Sequence, residues 1–161
     1  MDIQLTRREL FRAMTAGVFY RPALAYSVTP LDKGLTAMIS PAELATTYSI
    51  TAYDPQTGEF GVAVQTHNMG VGRLVPWLQP GVGAVATQSL VNVGYGPDGL
   101  ALLAQGEHPQ AVIEAITSTD PAAYHRQVGV VSRTGAAAFT GEHCIPYADH
   151  HVGENYTVQA N

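Results

Sequence analysis

From residue 47 onward the chain alternates apolar and polar positions in short runs separated by turn residues. Thr47-Tyr48-Ser49-Ile50-Thr51-Ala52-Tyr53 is rich in β-branched and aromatic side chains and predicts a strand. Asp54-Pro55-Gln56-Thr57-Gly58-Glu59 supplies the turn chemistry that ends it, and Phe60 to His67 predicts a second strand with Phe60, Val62, Val64 and Thr66 on one face. The two make a β-hairpin. Because side chains alternate along a strand, Thr47, Ser49 and Thr51 share one face and Tyr48, Ile50 and Ala52 the other. One face is hydroxylic and the other apolar.

Asn68 to Gly83 is punctuated by glycine and proline and reads as a loop carrying Trp77, followed by a third strand, Val82 to Gln88. Two short helices are predicted next. The first has Pro97 in its opening turn, an apolar stripe at Leu100, Leu103 and Ala104, and Gly106 at its end. The second repeats the stripe at Val112, Ile113 and Ile116 and stops at Asp120-Pro121. Gln127 to Ser132 and Gly135 to Thr140 predict another hairpin turning at Arg133-Thr134-Gly135, and Tyr156 to Ala160 a further strand. Strand pairs, adjacent helices and strand pairs again indicate an α+β domain layered on antiparallel sheets rather than a βαβ repeat.

Composition adds a boundary to this pattern. The 161 residues are 46% apolar and 13% charged, enough for one buried core. The net charge of −5 has no basic stripe, which argues against a nucleic-acid partner. Residues 1–46 hold five of the eight basic groups, whereas residues 47–161 contain three arginines, nine carboxylates and no lysine. Near the N-terminus Arg7-Arg8 precedes a short apolar run from Ala13 to Tyr20 and then Ala23-Leu24-Ala25, a small-x-small pattern suited to a signal peptidase. Residues 1–25 therefore read as a twin-arginine-like signal peptide, with periplasmic or secreted localisation as the expectation. The apolar run is too short for a stable membrane insertion. Segment 26–46 has no clear period and reads as linker or propeptide.

The ordered blocks Thr47 to Gly58, Gly61 to His67, Val75-Pro76-Trp77, Gly81 to Gln88, Tyr95 to Leu100 and His151 to Asn161 resemble the family known as domain of unknown function 1028, over nearly all of 47–161. That family is grouped with the N-terminal nucleophile (Ntn) hydrolases, which include the proteasome β subunits. The resemblance implies a layered αββα sandwich of antiparallel sheets flanked by helices, and a chain that is C-terminally incomplete relative to related domains. It also implies a mature chain starting at a nucleophile whose own α-amine accepts the hydroxyl proton. An α-amine titrates at about 7.7–8.0, so a useful fraction is neutral near neutral pH. Thr47 is the matching position, and residues 1–46 must then be removed. Cleavage after Ala45 would expose Thr46 instead, the rival nucleophile.

The same resemblance implies an amide or isopeptide substrate, either a small molecule or peptide-like. Proteasome-like members place an acid near the end of the second strand and a lysine near the third. Here Gln65, Thr66 and His67 fill the first place and no lysine follows Lys33. His67 is the candidate for moving a proton or orienting substrate. Ser49 and Gln65 are candidate substrate contacts, and Gly81-Val82-Gly83 could bring backbone N–H groups to a developing oxyanion. The other reading is a noncatalytic periplasmic domain that binds a ligand on the same fold.

No phosphate-loop or dinucleotide fingerprint is present, and no cofactor is expected. His143-Cys144 and His150-His151 offer zinc-type ligands, but their spacing matches no paired motif and adjacent histidines on a strand point to opposite faces, so no metal site is expected. A homo-oligomer is possible if apolar surface is left bare.

Overall fold

The computed structural model describes residues 47–161. The signal peptide expected at 1–25, the segment 26–46 and the rival nucleophile Thr46 lie outside the described residues. Eight strands and two helices follow in the order β1 (Thr47–Tyr53), β2 (Phe60–Thr66), β3 (Pro76–Gln79), β4 (Gly83–Ser89), α1 (Tyr95–Ala104), α2 (Pro109–Ser118), β5 (Arg126–Ser132), β6 (Gly135–Thr140), β7 (Asp149–Val152) and β8 (Tyr156–Ala160). They form two four-stranded antiparallel sheets, ordered β2-β1-β8-β7 and β3-β4-β5-β6. The α+β class and the antiparallel layering follow the sequence pattern.

Two elements depart from it. Within the span expected to be a loop, Val71–Arg73 forms a single 3-10 turn and Pro76–Gln79 pairs with β4. A proline can open an edge strand because the amide it lacks would face away from the partner. Trp77 holds this strand down: a β-carbon at Gly96 of α1 would overlap the indole ring, so glycine there lets helix and strand meet. The second addition is β7, a polar edge strand held by β8. The first helix also starts two residues before Pro97, at Tyr95.

The apolar core lies between the second sheet and the helices. Val85, Val128 and Val130 pack there against Leu100 and Leu103 of α1 and Val112, Ile113 and Ile116 of α2. His108 caps α2, its Nδ1 accepting from the Gln110 amide at 3.3 Å, with Pro109 at the first helical position. One half-buried carboxylate ties the layer together. Asp120 Oδ2 accepts from Arg126 Nε at 2.9 Å, Asn92 Nδ2 at 2.9 Å and the Tyr95 hydroxyl at 3.0 Å, while Oδ1 accepts from the Ala122 amide at 2.8 Å.

The Arg126 hydrogen bond, helped by Asn92, Ala122 and Tyr95 and opposed by burial, holds the Asp120 carboxyl well below the usual carboxylate range. Burial first, and then the Asp120 carboxylate, pushes the Tyr95 phenol above its usual value. Asp120→Ala takes the acceptor from Arg126 Nε and three further donors, and we expect a loss of about 3 kcal/mol in chemical denaturation at neutral pH. A depressed native pKa stabilises the fold above the unfolded value of about 3.9 and loses that contribution as pH falls through the native value. The wild-type advantage over Asp120→Asn should therefore shrink on acidification below about pH 4.

Candidate active site

The two sheets meet through a polar stripe along their central strands. Thr47, Ser49, Thr51, Thr157 and Gln159 enter it from the first sheet, and Gln88 and Gln127 from the second; all are buried. Ser49 Oγ donates to Gln159 Oε1 at 2.8 Å, Thr51 and Thr157 share a hydroxyl hydrogen bond of 2.7 Å, and Gln159 Nε2 also donates to Thr157. The hydroxylic face of β1 is thus the inward one. Tyr48 and Ile50 face out, exposed, beside Tyr156 and Val158 of β8.

Thr47 ends this stripe. It is 7% exposed, its Oγ donates to Thr66 Oγ at 3.1 Å, and its backbone exchanges hydrogen bonds with Asn161, N to O at 2.9 Å and O from N at 3.0 Å. Gln88 reaches across from β4, its Nε2 3.4 Å from the Thr47 carbonyl and 2.7 Å from Gln127 Oε1. Asn161 Nδ2 donates to the same Gln127 oxygen at 3.0 Å, and Gln127 Nε2 donates to Thr140 Oγ at 2.9 Å and to the carbonyls of Asp149 and Ala160. Thr140 in turn bonds His150 Nδ1 at 2.8 Å. Gln88 Oε1 is buried without a partner among the described residues. An unsatisfied buried acceptor is uncommon and costly, so this end of the sandwich is the place to look for chemistry.

The other expected site residues are only partly assembled here. His67 follows β2 directly after Thr66, exposed, with no hydrogen-bond partner for its ring among the described residues. Ser49 stands two residues along β1 and is enclosed by Gln159, so it supports the stripe rather than facing solvent. Gln65 pairs with Tyr48 and lies on the face of the sheet turned away from Thr47. Gly81 and Gly83 lie at the opposite end of β4 from Gln88, so the oxyanion role expected for them does not assemble around Thr47. Gly83 instead answers a packing need, because a β-carbon there would run into the Val131 carbonyl and Leu103.

His143, His150 and His151 go to separate partners. His150 points inward to Thr140, His151 points outward against the Tyr156 ring, and His143 lies with Tyr124 and His125. No group of three or more potential ligands comes together among the described residues. A cavity of about 550 Å³ lies between α1 and α2, lined in part by Tyr95, Asp98, Leu102 and Asp120. The second sheet separates it from Thr47, and its carboxylate Asp120 already has its donors. No helix among the described residues is long and apolar enough to cross a membrane.

The model of the family of unknown function DUF1028 matches residues 47–161, starting at the residue that starts β1 and ends the polar stripe. The chain belongs to the DUF1028 family. The DUF1028 fold is shared with the crystal structure of protein SPO2555 from Silicibacter pomeroyi, itself described by the DUF1028 family model, at 30% identity and a TM-score of 0.69. The match covers 73% of this chain and 55% of that one, so this chain spans little more than half the length of its structural relative. No curated protein matches it. Within this DUF1028 domain, Thr66, Gln88, Gln127 and Asn161 surround the candidate residue Thr47, and the sequence pattern does not single them out. Gln88 and Gln127 carried the one available signal, as amides ending or opening otherwise apolar strands.

Proposed function

We propose that this DUF1028 chain is an exported N-terminal nucleophile hydrolase of an amide or isopeptide bond, with Thr47 freed by removal of residues 1–46. The observation that carries the reading is the placement of Thr47. It opens the first strand of the matched domain, with its hydroxyl on Thr66 and its backbone gripped by Asn161 and Gln88. A residue held so firmly keeps its hydroxyl and its nitrogen in one geometry, which is what a nucleophile that serves as its own base requires.

Once freed, the neutral α-amine takes the Thr47 hydroxyl proton as Oγ bonds to the substrate carbonyl carbon. Collapse of the tetrahedral intermediate breaks the C–N bond, and the ammonium returns that proton to the leaving amine. Water then attacks the Thr47 ester, the amine accepting its proton and handing one back to Oγ. An amide nitrogen at position 47 cannot do this, so processing is a requirement.

The αββα layering belongs to the same proposal. Helices cover the outer face of the second sheet, and a second helical layer would rest on the exposed Tyr48, Ile50, Tyr156 and Val158 of the first. The Silicibacter structure has chain outside the matched part with which to build one. Mass spectrometry of the mature protein from its native host tests the central claim. We expect a chain starting at Thr47; an active protein that starts at Tyr26 overturns it.

A further inference from the structure

The two ends of the sandwich differ in a way the polar stripe does not explain. At the end remote from Thr47 the connections 54–59, 80–82, 105–108, 133–134 and 153–155 contain no exposed large apolar side chain. At the Thr47 end seven are exposed: Tyr124, 41%, just before β5, and six on three other loops. Those six are Met69 and Leu74 after β2, Leu90 and Val93 after β4, and Ile145 and Tyr147 after β6, exposed by 96, 42, 59, 41, 38 and 100%. The strand registers place these loops together: Thr47 pairs with Thr66, Gln88 with Gln127, and Gln127 with Thr140, so each loop leaves its strand at the level of Thr47 or Gln88.

A second observation falls at the same end. The two described non-glycine residues with positive φ are Ser89, at 66°, and Tyr147, at 71°, both beside these loops or within them. A bulky tyrosine held in left-handed backbone while its ring meets only water gains no packing for its strain, the pattern of a side chain kept ready for a ligand. Exposed apolar side chains gathered on one rim mark an interaction site.

We propose that loops 67–75, 90–94 and 141–148 form the binding rim for an apolar chain that flanks the scissile amide. The claim rests on the reading of Thr47 as nucleophile. It adds the substrate class: an amide whose carbonyl reaches Thr47 while a hydrocarbon portion, either an acyl chain or an apolar amino-acid side chain, lies on Met69, Leu90 and Tyr147. A charged or wholly polar amide would leave that rim uncovered, and each methylene buried on it strengthens binding by about fourfold.

Three sulfonamides, whose S–N bond a threonine does not cleave, test the rim on the mature protein by calorimetry. They are methanesulfonyl-glycinamide, octanesulfonyl-glycinamide and methanesulfonyl-leucinamide. We expect the octyl or the leucine compound to bind at least tenfold more tightly than the first. The octyl compound reports an acyl chain, the leucine compound a side chain. In the triple variant Met69→Ser, Leu90→Ser, Tyr147→Ser, whose positions are exposed in the folded chain, that preference should fall to less than threefold. Equal binding of all three, no measurable binding, or a preference that survives the triple variant overturns the proposal. The two readings separate cleanly: a rim preference in a protein with no amidase activity removes the hydrolase and keeps the rim, whereas turnover indifferent to chain length does the reverse.

Discussion

Thr47→Ala is expected to abolish turnover while leaving a folded protein. The lost hydroxyl makes one side-chain hydrogen bond, to Thr66, and Thr66 keeps the Asn68 amide and side-chain nitrogens as donors at 3.3 Å. Losing such a bond costs about 1 kcal/mol, a shift of a few degrees in Tm. Removing a nucleophile costs at least about a thousandfold in kcat. Thr47→Ser restores a hydroxyl on the same backbone and should recover measurable activity. A noncatalytic ligand-binding domain predicts the opposite result, with Thr47→Ala indistinguishable from wild type in the biological assay. Retained turnover in a purified Thr47→Ala sample would sink the hydrolase reading.

Gly129→Ala should be among the most destabilising single changes in the domain, although the substitution adds one methyl group to a strand. A β-carbon at Gly129 would overlap the Gln159 and Thr157 side chains from the opposing sheet. Its neighbours cannot retreat, because Thr157 is bonded to Thr51 and Gln159 to Ser49. The sheets must separate or the stripe must break, and we expect a loss of about 3 kcal/mol. Gly61 is the internal control. It lies on the outer face of β2, and a β-carbon there would meet nothing within 4 Å, so Gly61→Ala should be neutral or gain about 0.5 kcal/mol from a less flexible unfolded chain. Urea unfolding of the two variants side by side checks the contrast, and equal midpoints would refute it.

What was legible in the sequence was local. The β1–β2 hairpin could be read because Asp54 both accepts from the Gln56 amide and receives Gly58 N–H on its carbonyl, a turn encoded within six residues. The helices could be read from Leu100, Leu103, Val112 and Ile116. Illegible elements owe their existence to distant partners: β3 is held by β4 and by Trp77 against Gly96, and β7 by β8. The candidate site divides the same way. Thr47 stands out at a change in composition, whereas Gln88, Thr66 and Asn161 gain their meaning from hydrogen bonds spanning 19 to 114 positions. Gly81 and Gly83 misled because glycine marks tight backbone without saying whether a ligand or a neighbouring strand requires it.

The stripe of threonines and glutamines also determines how the strands align. In most sandwiches water expels the oily side of each strand, and that alone selects the pairing. Here a one-residue slip of β8 would turn Tyr156 and Val158 inward and expose Thr157 and Gln159, an exchange that greasiness by itself would favour. The slip is opposed by directional bonds, since it would part Ser49 from Gln159 and Thr51 from Thr157. Alignment of the strands in this protein is therefore written in amides and hydroxyls, and a solvent that competes for those groups should scramble it before it dissolves the valine and leucine layer beneath the helices.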